Sequence, residues 1–390
     1  MLSSIQAFDL LVPSRLLFGW GRRCELPSMA PLLGSRCFAI VGSQTLLREG
    51  LFAEIRSLIN TASNVAEPPQ IISREPLVED VDQAVLRARE CGADFILGIG
   101  GGAAIDLAKA VAAIAPQDEA YSVIDYLEGV RRELPLVQPS LQTLVMPTTA
   151  GTGSEATRNA VISSVAPRYK KSLRAASMMP DIALVDPELT VTTPPEITLH
   201  SGMDALTQCI ESYLSCRASS FTRPLALEGF HHAWTALPIV MREPSSRPAR
   251  EAMSFAALLS GISLTNSGLG MAHGVAAALG VHAQIPHGLA CAAMLPVALQ
   301  TNLECSRPRL QQLDVARRGP FVSEPGSAEA LIEAVISLCQ RTGIPQRLRE
   351  LGVSVDQLNA IVTSSSRNSM RANPRPIEDP ELLEILSRAW

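Results

Sequence analysis

The strand pattern in this chain stops near residue 187, and this change constrains the fold more than any other feature of the sequence. Before that point, short apolar or β-branched runs alternate with helical patterns, which is typical of a parallel sheet wrapped by helices. After Pro187, helical periodicity dominates. A chain of 390 residues also exceeds what one hydrophobic core usually serves. We therefore predict an α/β domain over residues 1–187 and an all-helical domain over residues 188–390.

The individual elements follow from the same patterns. Five apolar runs are predicted to be strands, at residues 37–41, 70–72, 95–99, 144–146 and 182–185. Helices are predicted in the first half over residues 46–60 and 81–90, and in the second half over residues 202–214, 224–237, 251–266 and 289–302. Such an architecture favours a binding site in a cleft between the two domains.

A glycine-rich turn directly follows the strand predicted at residues 95–99. Residues 98–103 read GIGGGA and open a helix. Glycines let the backbone approach a diphosphate closely, and the N-terminus of a helix supplies N–H groups that have no partner within the helix. A tight turn between packed elements is the alternative, because the motif alone is weakly specific. The predicted cofactor contacts of this turn are Gly100, Gly101, Gly102, Ala103 and Asp106.

A second polar turn, residues 147–155, follows the strand predicted at residues 144–146 and reads PTTAGTGSE. Its hydroxyl and N–H groups suit a pyrophosphate, a ribose or a nicotinamide amide. Standing alone, it would be an ordinary Ser/Thr-rich loop. Two such turns in one α/β domain favour a dinucleotide site, with predicted contacts from Thr148, Thr149, Thr152 and Ser154.

Four side chains in the second half are candidates for holding a divalent metal. Asp204 and Gln208 are four residues apart, so they lie on one face of a predicted helix. His273 and His287 follow far along the chain. One carboxylate and two imidazoles suffice for an ion that keeps a position open for substrate. Each of these residues taken alone is more often structural.

Four long stretches resemble the signature segments of the iron-containing alcohol dehydrogenase family, in the dehydroquinate synthase-like superfamily. They read GIGGGAAIDLAKAVA, PTTAGTGSEAT, GMDALTQCIESY and GLGMAHGVAAALGVHAQIPHG, in the family's order. The resemblance extends from the FGWG segment near Phe18 to the NPRP segment near Asn373. It implies a Rossmann-like dinucleotide-binding domain, a helical domain and a metal between them.

The resemblance also assigns the metal ligands. It places the family's metal aspartate at Asp204 and two of its metal histidines at His273 and His287. The remaining ligand, usually histidine, falls on Gln208. A neutral amide oxygen is a poorer ligand than imidazole, so we expect one weakly held ion, Fe²⁺ or Zn²⁺. A second departure is Ala277, where many members have a histidine near the nicotinamide.

The choice between NAD and NADP depends on residues 41–45, VGSQT, after the first predicted strand. The family often has an acidic residue there, which accepts the ribose hydroxyls of NAD and repels a 2′-phosphate. Gly42 and Ser43 carry no charge. We therefore predict that NADP or NAD binds, with contacts from Gly42 and Ser43 and a further contact from Lys170.

The chemistry and the resemblance together predict an NAD(P)-dependent alcohol dehydrogenase or aldehyde reductase with Asp204, His273 and His287 as catalytic residues. The metal would act as a Lewis acid on the oxygen of a small alcohol or aldehyde while hydride passes to or from nicotinamide. One alternative is a metal-independent maleylacetate reductase, which Gln208 mildly favours. Another is a dehydroquinate synthase-like lyase, whose several basic residues are not evident. The third is a binding protein that kept the fold and lost turnover.

Composition limits the partners and the location. A net charge of −5 gives no global reason to bind nucleic acid or acidic membranes, and the apolar stretches fall short of the roughly 20 residues that span a bilayer. The eight cysteines include no CxxC pair, which is typical of reduced thiols. Residues 1–13 lack a basic start, so no signal peptide is expected. We predict a cytoplasmic homodimer or higher homo-oligomer without a nucleic-acid or membrane partner.

The substitution Ser43→Asp tests this interpretation of the cofactor site. We expect the wild type to use NADPH at least comparably with NADH. Ser43→Asp should shift the ratio of kcat/KM values toward NADH, because a carboxylate accepts ribose hydroxyls and repels a 2′-phosphate. Steady-state kinetics with both cofactors measure this ratio, and the neutral Ser43→Asn is the control. A wild type that ignores NADPH contradicts the interpretation.

Overall fold

The computed structural model describes residues 7–61, 63–319, 324–365 and 369–390. Part of the N-terminal stretch considered above, residues 1–6, lies outside the described residues. The chain divides into two compact units, which we call the sheet unit and the helical unit. The sheet unit contains Leu11–Thr149 and Gly153–Thr193. The helical unit contains the described residues up to Leu10, Ala150–Thr152 and Pro194–Trp390.

Nine strands lie in the described part of the sheet unit. They are β1 (Arg15–Phe18), β2 (Arg36–Val41), β3 (Asn64–Val65), β4 (Gln70–Ile71), β5 (Phe95–Gly100), β6 (Gln142–Pro147), β7 (Asn159–Val165), β8 (Arg168–Arg174) and β9 (Ile182–Val185). Seven of them form one sheet in the order β1-β9-β6-β5-β2-β3, with β4 also paired to β2, and every pairing is parallel. The antiparallel pair β7 and β8 is separate.

Helices cover both faces of this sheet. They are α1 (Leu26–Met29), α2 (Gln44–Arg48), α3 (Leu51–Ile59), α4 (Val78–Glu90) and α5 (Gly102–Ile114). Successive side chains of a strand point to opposite faces. Accordingly, Phe38 and Ile40 of β2 pack in one core with residues of α4 and α5, while Ala39 and Val41 pack in a second core with residues of α1 and α3.

Two differences between the structure and the predicted elements have a physical explanation. The helix predicted over residues 46–60 is two helices, because Gly50 between them has a φ of 84°. Glycine adopts this left-handed conformation without the steric cost that a Cβ brings. The pair β7 and β8 was not predicted, since β8 reads RYKKSLR and its charged residues hide the alternation of a strand.

The described part of the helical unit contains nine helices that enclose two hydrophobic cores. They are α6 (Pro195–Leu214), α7 (Thr222–Arg242), α8 (Arg247–Ser267), α9 (Met271–Ala283), α10 (His287–Thr301), α11 (Leu303–Arg318), α12 (Ala328–Arg341), α13 (Leu358–Ser365) and α14 (Asp379–Ala389). The predicted fold class, a parallel-sheet α/β region followed by a helical region, is confirmed.

Glycines at the ends of β2 and β5 let the two backbones come closer together than side chains at these positions would allow. A Cβ on Gly100 would lie 2.7 Å from the Cα of Gly42, and a Cβ on Gly42 would lie 2.8 Å from the Cα of Gly100. Gly100 also has a φ of 152°, which residues with a side chain rarely adopt. Both positions therefore require glycine.

A buried ammonium group ties α5 to the segment after residue 152. Nζ of Lys109 donates to Oγ of Ser154 and to Oγ1 of Thr157, each over 2.8 Å, and lies 3.2 Å from Oδ1 of Asp106. Glu155 is also buried, and its burial raises the pKa of that carboxyl to about 7, although the charge of Lys109 opposes the shift. The folded protein therefore holds a proton on Glu155 at mildly acidic pH.

None of the described helices is by itself long and apolar enough to cross a membrane. The pair Arg247–Ser267 and Met271–Ala283, bent by 99°, meets the criteria of length and composition only when its two helices are taken together.

Gly100→Ala is expected to lower the free energy of unfolding by about 2–4 kcal/mol, because it adds backbone strain to a clash with Gly42. Urea denaturation measures the change. The control is Gly101→Ala, since Gly101 has an extended backbone and a Cβ there would meet only Thr149, at 3.3 Å. Equal stability of the two variants would contradict the close approach of β2 and β5.

Glu155→Gln should remove a pH dependence of stability. The pKa of Glu155 rises from 4.5 to about 7 on folding, so between these values the folded state holds a proton that the unfolded state has lost. The free energy of unfolding of the wild type therefore falls as the pH rises through this range. Between pH 5 and pH 8, the free energy of unfolding of the variant should therefore rise by about 1–3 kcal/mol relative to that of the wild type.

Urea denaturation at several pH values measures this difference, and Glu90→Gln, at the exposed end of α4, is the control. A difference between Glu155→Gln and the wild type that stays constant with pH shows that Glu155 titrates equally in both states.

Candidate active site

The two predicted glycine-bearing turns lie at the carboxyl ends of neighbouring strands. β5 ends at Gly100 and β6 ends at Pro147, and these two residues are partners in the parallel ladder. The N–H of Thr148 donates to the carbonyl of Gly100 over 2.9 Å. Gly42 follows β2 on the other side of β5. Gly42, Gly100 and Thr148 thus meet at the sheet edge where open parallel sheets bind ligands.

The N-terminus of α5 opens at the same edge. Gly101 is the N-cap of this helix, and Gly102 and Ala103 belong to its first turn. All three residues are partly exposed. A Cβ on Gly101 would lie 3.3 Å from Oγ1 of Thr149, so this hydroxyl stands beside the helix end. N–H groups without helical partners, a hydroxyl and the positive end of the helix dipole together suit a phosphate group.

Ser43 is the N-cap of α2, because its Oγ accepts a hydrogen bond from the N–H of Leu46 over 3.3 Å. Like Gly42 before it, Ser43 is partly exposed and carries no charge. Aspartate is also a preferred N-cap residue. The substitution Ser43→Asp therefore changes the charge at this position while it preserves the helix cap.

Three other predicted cofactor residues are bonded within the protein. Oγ of Ser154 is hydrogen-bonded to Oδ1 of Asp106, and Oδ2 of Asp106 accepts from the N–H of Val161 over 2.9 Å. The ammonium group of Lys170 on β8 is paired with Glu75. These bonds stabilise the sheet unit, and the roles of Asp106, Ser154 and Lys170 in cofactor binding stay predictions.

Three helices bring the predicted metal ligands together. Asp204 lies on α6, His273 in the first turn of α9 and His287 at the first residue of α10. Oδ1 of Asp204 is 3.1 Å from Nε2 of His273 and 3.8 Å from Nε2 of His287. The side chains of Asp204 and His273 are 3% exposed and that of His287 is 29% exposed. The cluster is therefore open to solvent on the side of His287.

A fourth side chain, which was not predicted from the sequence, joins this cluster. Cys291 lies on α10, one turn after His287, and is fully buried. One ligand atom from each of Asp204, His273, His287 and Cys291 lies within 4.8 Å of the other three. The signal in the sequence was the four-residue spacing from His287, which places both side chains on one helix face.

Gln208 lies one turn after Asp204 on α6, but its amide is held by other groups. Oε1 accepts from Oγ of Ser260 over 2.6 Å, and Nε2 donates to the carbonyl of Thr152 over 3.3 Å. Only the oxygen of an amide side chain has lone pairs available for a metal. The bond from Ser260 therefore competes with coordination. Thr152, predicted to contact the cofactor, belongs to the helical unit.

Glu211, two turns after Asp204 on α6, is the second residue that the sequence analysis missed. Oε2 of Glu211 is 2.7 Å from Nδ1 of His273, and the carboxylate also accepts from the N–H groups of Gly270, Ala272 and His273 over 3.1, 2.6 and 3.3 Å. With Nδ1 protonated and facing Glu211, Nε2 is the nitrogen of His273 whose lone pair can bind an ion beside Asp204. Glu211 thus orients the ring of His273.

Charges within the cluster shift the protonation of its members. Burial raises the pKa of Asp204, but the neighbouring histidines lower it more, so that it falls below its ordinary value. Burial lowers the pKa of His273, but Cys291, Asp204 and Glu211 raise it well above its ordinary value. Burial raises the pKa of the Cys291 thiol to about 12. The cluster therefore attracts positive charge.

The donor atoms fit one divalent ion. Ligands about 2.0–2.3 Å from a common ion lie about 3.3–3.8 Å apart in a tetrahedron. The separations of Asp204 from His273, Asp204 from His287 and His287 from Cys291 are 3.1, 3.8 and 3.7 Å. Within the described ranges, neither Asp204 nor Glu211 forms an ion pair with a lysine or arginine. A divalent ion would supply the missing positive charge.

Two family models match the chain. Residues 13–187 match the model of the iron-containing alcohol dehydrogenases, and residues 198–390 match the model of the C-terminal part of the Fe-containing alcohol dehydrogenase family. The two matches together cover nearly the whole sequence.

Individual relatives match over almost their full length. The chain is 31% identical to "Probable alcohol dehydrogenase EutG" of Escherichia coli strain K12, over 98% of this chain and 97% of that protein. It is 29% identical to the NADPH-dependent butanol dehydrogenase of Clostridium saccharobutylicum, over 96% of each chain. The sulfoacetaldehyde reductase from Bifidobacterium kashiwanohense, solved in complex with NAD⁺, superposes with a TM-score of 0.87 at 28% identity, over 98% of this chain and 99% of that one. From these matches and the geometry of the cluster, the chain belongs to the iron-containing alcohol dehydrogenase family.

Proposed function

We propose that this protein is a metal-dependent, NAD(P)-linked oxidoreductase that interconverts a small alcohol and its aldehyde. The observation that carries the proposal is the buried cluster of Asp204, His273 and His287, whose separations suit one divalent ion. The substrate class is supported by relatives named as a butanol dehydrogenase and a sulfoacetaldehyde reductase. The intact cluster favours this reaction over that of a metal-independent reductase.

The proposal assigns the dinucleotide to residues 1–187 and the metal to residues 188–390. The uncharged end of β2 supports the use of either NADP or NAD, and the relatives include both an NADPH-dependent enzyme and one solved with NAD⁺. The proposed dinucleotide contacts that lie together at the sheet edge are Gly42, Ser43, Gly100, Gly101, Gly102, Ala103, Thr148 and Thr149.

The protein's own residues prepare the site for this chemistry. When bound, a divalent ion supplies Lewis-acid polarisation of the substrate oxygen, and the nicotinamide supplies or accepts the hydride. Glu211 holds the proton at Nδ1 of His273, which keeps Nε2 directed to Oδ1 of Asp204. Because His287 is the exposed member of the cluster, the substrate reaches the cluster from the side of His287.

Assembly and location extend the proposal beyond the site. We propose a homodimer or higher homo-oligomer in the cytoplasm, without a nucleic-acid or membrane partner. The acidic net charge of −5 and the lack of long apolar stretches in the sequence support the last part, the absence of a nucleic-acid or membrane partner.

His273→Ala tests the metal-dependent function. We expect kcat/KM for aldehyde reduction to fall by about 100-fold or more and the bound metal to be lost, because the variant lacks one of the donors. An aldehyde panel with NADH and NADPH measures activity, and elemental analysis measures the metal. His287→Ala is the second variant, because removal of His273 also leaves Glu211 with fewer donors.

The matched control is His282→Ala, since His282 lies in the last turn of α9 and its Nε2 is 2.7 Å from Oγ of Ser364. It should keep both metal and activity. Activity that survives exhaustive chelation, and that both His273→Ala and His287→Ala leave unchanged, would replace the proposal with the metal-independent reductase. Failure of all aldehydes and alcohols to change the nicotinamide absorbance would exclude the oxidoreductase altogether.

A further inference from the structure

Cys291 is the fourth member of the candidate cluster, for which the sequence predicted Gln208. Its Sγ is 3.7 Å from Nε2 of His287 and within 4.8 Å of a ligand atom of each of Asp204 and His273. We propose that Cys291, as a thiolate, is the fourth metal ligand of this protein in place of Gln208. The inference rests on the proposed metal-dependent function and concerns only how the ion is held.

Helix geometry supports this assignment. His287 and Cys291 are one turn apart on α10, and the four ligand atoms of the cluster lie within 4.8 Å of one another. The separation of 3.7 Å between Sγ of Cys291 and Nε2 of His287 is also the separation of two ligands of one tetrahedral ion. Gln208, in contrast, already directs Oε1 to Ser260 and Nε2 to Thr152. Coordination by Cys291 breaks no hydrogen bond of Gln208.

The charges of the ligands also support coordination by Cys291. Asp204 and a Cys291 thiolate carry two negative charges, which equal the charge of a divalent ion. Glu211 adds a third, but it accepts three N–H groups at the N-terminus of α9, where the helix dipole stabilises an anion. On metal binding, the S–H bond of Cys291 breaks, a bond from sulfur to the ion forms, and the proton passes to solvent.

A thiolate ligand changes which ion the site holds. One carboxylate oxygen, two imidazole nitrogens and one sulfur form a softer donor set than three histidines with an aspartate, and soft sulfur ligands favour Zn²⁺. The ion should therefore be held more tightly than the amide of Gln208 would allow. Cys291 compensates for the departure at position 208 and selects the metal.

Cobalt substitution tests the proposal without a measurement of turnover. The protein is stripped of metal and reloaded with Co²⁺, whose bond to a thiolate produces an intense charge-transfer absorption in the near ultraviolet. We expect this absorption in the wild type and in Gln208→Ala. It should be absent from Cys291→Ser and Cys291→Ala, which keep the weaker visible bands of bound Co²⁺.

Cys209→Ala is the matched control. Cys209 is buried on α6 next to Gln208 in sequence, but its Sγ donates to the carbonyl of Ala256 over 3.8 Å. This variant should retain the charge-transfer absorption. Competition with a chelator gives a second readout: Cys291→Ala should lower the affinity for Zn²⁺ by about 10- to 100-fold, and Gln208→Ala should lower it less. Circular dichroism confirms that each variant is folded.

Each outcome bears on the proposal. Bound Co²⁺ without the charge-transfer absorption in the wild type overturns the inference and leaves the proposed function intact. Persistence of the absorption in folded Cys291→Ser assigns it to another thiol and also overturns the inference. A wild type that binds neither Co²⁺ nor Zn²⁺ overturns the inference together with the metal-dependent function.

Discussion

The candidate metal centre depends on one buried carboxylate, that of Glu211. This side chain accepts the N–H groups of Gly270, Ala272 and His273 and lies 2.7 Å from Nδ1 of His273. It therefore fixes the start of α9 and the orientation of the imidazole at once. Such a carboxylate is costly to bury unless it is fully hydrogen-bonded, and here the helix N-terminus satisfies it. The other candidate ligands can share an ion with His273 only because its ring is held in this orientation.

The members of the candidate cluster are positioned independently of Gln208. Asp204, His273, His287 and Cys291 come from three helices, so each donor is held by its own packing. The loss of histidine at position 208 leaves an amide that bonds to Ser260, while the thiol one turn after His287 lies beside the remaining donors. The candidate cluster thus has four side chains whose ligand atoms lie within 4.8 Å of one another, and one of them is a thiol.

In the sheet unit, a different constraint applies, because backbone N–H groups must stay accessible if they are to bind a phosphate. The backbones at Gly42 and Gly100 are so close that neither position has room for a side chain. The partly exposed N-terminus of α5 begins directly after Gly100 in the chain. The buried Lys109 bonds to Ser154 and Thr157 and so holds the second turn beside the first. Polar residues of the turn motifs therefore divide between those that can meet a ligand and those that stabilise the turns themselves.

The sequence by itself determined the fold class, because strand and helix periodicities are local, and it named three of the four members of the candidate metal cluster, because they lie in long, ordered motifs. It did not separate Ser154, which bonds to Asp106, from residues free to meet a cofactor, since that depends on the side chains packed around it. The contact of Glu211 with His273 and the place of Cys291 beside the predicted ligands were decided only by tertiary structure. Both lie one or two helical turns from a predicted ligand, and only the packing of α6, α9 and α10 brings them to His273 and to the cluster.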